Sequence, residues 1–150
     1  MSAPSAAPSA FSAASGVAPD RTAAGVRDTI LVVEDEDSIA GLIGCILARG
    51  NFRVVRARDG EECLRLLEEN ETHLLLATLD CKLPDADGGA LCQRVRERAA
   101  ALPVLFVSGC DVSKLKAAWA GDRRTGFVAK PFLPGEVLKQ VRALVGSGPA

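Results

Sequence analysis

Five side chains able to do chemistry follow short, apolar, β-rich runs. Glu34 and Asp35 follow Ile30–Val33, Asp80 follows Leu74–Leu79, Ser108 follows Val104–Val107, and Lys130 follows Phe127–Ala129. Three carboxylates gathered in one place repel one another and need a cation. Ligands that are all oxygen suit a hard ion such as Mg2+, which keeps some of its water and favours a phosphate to complete its shell. A lysine beside them is a compact charge for a phosphoryl oxygen, and a serine hydroxyl can donate to another. Phosphoryl transfer asks for little beyond such positioning and neutralisation. A carboxylate can itself be the acceptor, as an aspartyl phosphate. Taken singly, each residue has an ordinary structural explanation. Acids after a strand favour the next helix N-terminus, Asp80 suits a turn, and Ser108 and Lys130 suit loops. Their joint placement at strand ends is what points to a site.

The elements that carry them alternate. Ile39, Leu42, Ile43, Ile46 and Leu47 keep helical spacing, and Gly50 stands where a helix would end. Phe52–Val55 reads as a second strand ending in Arg56, which adds nothing comparable to the site. Asp59 and Glu62 resemble a capping box ahead of Cys63, Leu64 and Leu67. Leu91 and Val95 mark a third helix, Val112, Leu115 and Trp119 a fourth that begins near Asp111, and Pro134 opens a fifth bearing Val137, Leu138, Val141, Leu144 and Val145. Continuous apolar strands separated by helices predict a doubly wound α/β fold, (βα) five times, with a parallel sheet covered on both faces. Ligands of such sheets sit beyond the carboxyl ends of the strands, where the five residues fall.

At 150 residues the chain has the length of one domain. Nineteen of the first 27 residues are Ala, Ser, Pro or Gly, so 1–27 reads as a flexible tail without the features of a signal peptide. The folded unit is expected over 28–146, with 147–150 a short C-terminal tail. Eighteen Lys and Arg against 19 Asp and Glu give a net charge of -1, which offers no reason to expect nucleic acid or an anionic membrane as partner. No apolar run approaches the ~18 residues of a spanning helix. Five cysteines without a C-x-x-C pair, beside one histidine, read as free and mostly buried thiols of a reducing cytoplasm.

ILVVEDE (30–36), LDCKLPDADG (79–88), LFVSG (105–109) and FVAKPF (127–132) together resemble the receiver domain of bacterial response regulators, the CheY-like family. The resemblance runs in order from about Thr29 to Val145 and implies a five-stranded sheet of order 2-1-3-4-5. It implies that Asp80 is the phosphoacceptor, with Ser108 and Lys130 contacting the phosphoryl group. Mg2+ would be held by Asp35, Asp80 and the backbone carbonyl of Lys82, with Glu34 acting directly or through a water. The Lys130–Pro131 peptide would be cis, and Phe127 the aromatic that swings inward when Ser108 closes on the phosphate. Glu34 stands where Asp is more usual, and GDRRTGF (121–127) is about two residues longer than the usual link. Lys82 and Cys110 occupy positions that tune phosphoryl lifetime in the family.

The resemblance also implies partners: a sensor histidine kinase or histidine phosphotransfer protein upstream, and an unidentified output protein downstream. Because the sequence ends at Ala150, a stand-alone regulator is expected, one that signals by contact or passes its phosphate on. No enzyme activity is expected beyond the chain's own Mg2+-dependent phosphorylation and dephosphorylation. Two alternatives remain. One is a receiver-shaped binding module that is never phosphorylated. The other is a phosphohydrolase built on Asp85-Ala86-Asp87-Gly88, which resembles the D-x-D-G of haloacid-dehalogenase-type phosphatases but lies in a loop and lacks the following Thr.

Overall fold

A computed structural model describes residues 27–109 and 113–146. Five strands and five helices alternate: β1 (Thr29–Val33), α1 (Asp37–Arg49), β2 (Arg53–Ala57), α2 (Gly60–Glu69), β3 (Leu74–Leu79), α3 (Gly88–Arg98), β4 (Val104–Ser108), α4 (Ser113–Ala118), β5 (Thr125–Ala129) and α5 (Pro134–Gly146). The sheet order is β2-β1-β3-β4-β5 and every pairing is parallel. The tails at 1–26 and 147–150 lie outside the described residues, as do Cys110, Asp111 and Val112.

Alternate strand residues face opposite sides, and the two sides bury separate cores. Ile30, Val32, Leu76, Leu105 and Val107 pack with Ile43, Leu47, Val137 and Val141 of α1 and α5. Leu31, Val33, Leu79 and Phe106 pack with Cys63, Leu67, Leu91 and Val95 of α2 and α3. Each fully buried aliphatic side chain contributes about 1.5–3 kcal/mol. Burial on both faces explains why β1, β3 and β4 read as apolar runs without alternation. Cys63, Cys81 and Cys92 are buried thiols outside any disulfide, and Cys45 is exposed. Burial pushes the Cys63 thiol up to about 12 and that of Cys92 to about 11, which keeps both inert.

The caps follow local chemistry with small shifts. Asp59 accepts from the Glu62 amide at 2.8 Å, while the Glu62 carboxylate reaches the amide of Arg58, one residue before the position expected of a capping box. Leu133, just before Pro134, donates its amide to Glu136 at 2.7 Å. Gly50 ends α1, but Asn51 takes the left-handed conformation, at φ 71°. A Cβ at Gly50 would meet the Leu138 Cδ2 at 2.8 Å, so a larger residue there would have to displace that side chain. β2 lies at Arg53–Ala57 rather than Phe52–Val55, because its ladder with β1 begins at Thr29↔Arg53. Trp119 falls in the turn after α4.

Candidate functional site

The ends of β1, β3, β4 and β5 meet at one edge of the sheet. Glu34 leaves β1 with its amide bonded to the Ala57 carbonyl at 3.0 Å. Its side chain turns inward and is 1% exposed, and one carboxylate oxygen accepts from the Glu36 amide at 3.2 Å. The next residue, Asp35, is exposed. Asp80 is 8% exposed, its amide donates to the Val33 carbonyl at 3.1 Å, and its Oδ1 accepts from the Lys82 amide at 3.3 Å. Oxygens of Glu34, Asp35 and Asp80 all lie within 4.8 Å of one another. Lys130, joined to Pro131 by a cis peptide, donates its amide to the buried Ser108 carbonyl at 2.9 Å. Its Nζ lies 2.9 Å from Glu34 Oε1 and 3.5 Å from Asp80 Oδ2.

Burial pushes the Glu34 carboxyl above the ordinary carboxylate range, and the Asp80 charge adds to this; bonds from Lys130 and the Glu36 amide oppose without cancelling it. Burial acts to lower the Lys130 pKa, but bonding to Glu34 and the charges of Glu34 and Asp80 outweigh it and raise it. The ammonium is therefore held charged as the counterion of the carboxylates. A set of oxygen donors this close, with a single lysine against three acids, fits a hard divalent cation.

The loop after β3 is shaped by close approaches. Lys82 pairs with Asp87 in an isolated antiparallel bridge, Leu83 donates to the Ala86 carbonyl at 3.2 Å, and Gly88 donates to the Cys81 carbonyl at 2.9 Å. A Cβ on Gly88 would stand 2.7 Å from the Asp80 carbonyl oxygen, so only glycine fits there. The Lys82 side chain is exposed. Both acids of the Asp85-Ala86-Asp87-Gly88 motif are engaged with backbone. Asp87 accepts from the Ala90 amide at 3.1 Å, and Asp85 accepts from the Gly60 and Glu61 amides. The motif thus supplies caps to two helices, Asp87 to α3 and Asp85 to α2.

The long link 121–127 is gathered by Arg96. Its guanidinium donates to the Leu102 carbonyl at 2.9 Å, the Arg124 carbonyl at 3.0 Å and the Thr125 hydroxyl at 3.2 Å, and it pairs with Asp122. Downstream, the half-buried Phe127 ring stacks on Phe106 at 5.5 Å, with Lys116 Nζ 5.9 Å from its centroid.

Arg56, expected to add nothing comparable to the site, is engaged with it. Its Nε and Nη2 donate to the Glu34 carbonyl at 3.1 and 2.8 Å, and its Nη1 bonds Asp37 at 2.7 Å. β2 therefore does contribute, by holding the acidic loop from behind. The signal available was a forked donor at the end of the strand that neighbours β1.

The family model described as response regulator receiver domain matches residues 30–142. The chain is 34% identical over 116 residues to the alkaline phosphatase synthesis transcriptional regulatory protein PhoP of Bacillus subtilis, covering 77% of this chain and 48% of that protein. It is 31% identical over 118 residues to the regulatory protein VanR of Enterococcus faecium, covering 79% and 50%. The chain thus spans about half the length of these curated relatives. The receiver domain of the hybrid histidine kinase CckA superposes with a TM-score of 0.65 at 30% identity, over 77% of this chain and 98% of that one. The chemotaxis protein CheY4 of Vibrio cholerae shares the fold, with a TM-score of 0.71 at 23% identity over 79% and 99%. With the family's pattern matched from β1 into α5 and the same sheet order beneath it, the chain belongs to the response regulator receiver domain family.

Proposed function

We propose that this receiver accepts a phosphoryl group on Asp80 from the phosphohistidine of a sensor histidine kinase or a histidine phosphotransfer protein. The observation that carries this is the convergence of a nearly buried Asp80 with Glu34, Asp35 and the Lys130 ammonium. Asp35, Asp80 and the Lys82 carbonyl would hold Mg2+, with Glu34 binding directly or through a water. When bound, the ion would neutralise charge on the transferring group. An Asp80 carboxylate oxygen attacks phosphorus, and a phosphorus–oxygen bond forms as the phosphorus–nitrogen bond breaks. The electron pair returns to the donor imidazole, which takes up a proton. Lys130 exchanges its carboxylate partners for a phosphoryl oxygen, and the Ser108 hydroxyl donates to another. The closing of Ser108 and the fifth-strand loop draws Phe127 inward, which alters the face formed by α4, β5 and α5.

The output is contact with another protein in the cytoplasm or onward transfer in a relay, and no external substrate is turned over. Among the described residues no helix is long and apolar enough to cross a membrane. Intact mass after incubation with Mg2+ and acetyl phosphate tests the acceptor. One acid-stable, base-labile phosphoryl group is expected, and Asp80→Asn should lose it. Unchanged labelling of Asp80→Asn would overturn the assignment.

A further inference from the structure

The acidic loop after β1 and the turn after β3 supply the proposed Mg2+ ligands from different strands, so their spacing must be held by something. Part of the answer is on the β2 side. The Glu34 amide bonds the Ala57 carbonyl at 3.0 Å, and Arg56 grips the Glu34 carbonyl at 3.1 and 2.8 Å. The acidic loop is thus fixed to the junction of β2 and α2. The remaining link is Asp85, at the tip of the turn closed by the Lys82–Asp87 bridge. Its Oδ1 accepts from the Gly60 amide at 2.8 Å and its Oδ2 from the Glu61 amide at 3.1 Å. These are first-turn amides of α2 that have no partner within their own helix. Asp59, the residue that caps α2 from its own chain end, takes the Glu62 amide instead, so the two acids divide the orphan donors between them. The charge favours the positive end of the helix. A Cβ on Gly60 would lie 3.1 Å from the Ala86 Cβ and 3.3 Å from Asp85 Oδ1, so glycine lets the turn seat closely.

We propose that Asp85 is a positioning residue, a brace whose two bonds to α2 close a ring from Glu34 through Arg56, Ala57 and Gly60 to Lys82 and so fix the Lys82 backbone relative to the acidic pair. This rests on the reading of Lys82 as an Mg2+ ligand. The β1–β3 pairing, with the Asp80 amide on the Val33 carbonyl, holds the strand ends together, whereas Asp85 both completes the cap of α2 and ties to it the turn that carries Lys82 beyond those ends. Two ligand-bearing loops held at a set distance bind a metal without first having to be ordered.

The test compares the full chain with Asp85→Ala, Asp85→Asn and Asp59→Ala. Asp59→Ala removes a cap from the same helix and leaves the brace intact. Mg2+ affinity is read by calorimetry, and exchange of the Leu83 amide is read by NMR in metal-free protein. Asp85→Ala should weaken Mg2+ binding about tenfold and speed Leu83 exchange. Asp85→Asn, which keeps one acceptor oxygen, should fall between Asp85→Ala and the unmodified chain. Asp59→Ala should leave both readings within about twofold, on the same scale of effect. Unchanged Mg2+ affinity in Asp85→Ala, or an equal loss in Asp59→Ala, overturns the brace. Absence of Mg2+ binding by the unmodified chain instead overturns the metal reading, and Leu83 exchange then decides whether Asp85 holds the turn.

Discussion

Lys130 stands closer to Glu34 than to Asp80, at 2.9 Å against 3.5 Å. In this state the lysine is chiefly the counterion of an acid it would have to leave when a phosphoryl group arrives.

Replacing Lys130 by Met should therefore expose the cost of the buried acid. Without metal the variant should lose about 3 kcal/mol, because Glu34 keeps its burial and loses its partner. Mg2+ should then raise the melting temperature of Lys130→Met more than that of the unmodified chain, since stabilisation by a bound ion grows with its affinity and the ion no longer competes with the ammonium. Thermal melts with and without millimolar Mg2+ measure this. An equal rise in both proteins would contradict the counterion role.

Arg56 should matter to both stability and labelling. Arg56→Ala removes two charge-assisted bonds to the Glu34 carbonyl, at a cost of about 2 kcal/mol, and releases the acidic loop. Arg56→Lys should not restore it, because one ammonium cannot span the carbonyl and Asp37 as the fork does. Urea unfolding together with acetyl phosphate labelling rates checks the pair. Wild-type labelling in Arg56→Ala would show that the loop holds itself.

The Arg96–Asp122 pair predicts a pH effect. Burial pushes the Asp122 carboxyl up, but bonds from Arg96 and from the Arg124 amide outweigh it and hold it below its ordinary 3.8. A carboxyl lowered by folding contributes stability that is present above the unfolded value and lost as pH falls through the folded one. Asp122→Asn should thus be less stable at pH 7, and its deficit should shrink as pH falls below 3.8. Urea melts across the acid range decide this. A deficit that does not change with pH would remove the charge from the explanation.

Lys82 offers a prediction about lifetime. Hydrolysis of an aspartyl phosphate needs a water in line with the bond that breaks. The exposed Lys82 side chain leaves a backbone whose amide is already bonded to Asp80 Oδ1 at 3.3 Å. Its stem is thus anchored beside the acceptor and should crowd that water. Lys82→Ala should dephosphorylate several-fold faster with Mg2+ affinity nearly intact. Equal decay rates would leave the residue with no role in lifetime.

The chain order of strands and helices was legible in the sequence because β1, β3 and β4 are buried on both faces and carry continuous apolar runs, with helically spaced apolar residues between them. The site was legible for a related reason. Glu34 with Asp35, Asp80, Ser108 and Lys130 stand at the ends of apolar runs, and a parallel sheet brings the ends of its strands to one side. What only the tertiary structure decided involves partners remote in the chain. Strand register moved β2 from Phe52–Val55 to Arg53–Ala57, since its limits are set by pairing with Thr29–Val33 rather than by its own residues. Arg56 meets Glu34 across 22 residues and Asp85 meets Gly60 across 25, through bonds to backbone atoms that carry no side-chain signature. Any residue supplies a carbonyl, and any but proline an amide N–H. The sequence therefore named the groups that would carry charge at the site, whereas folding chose the backbone atoms that hold them in place.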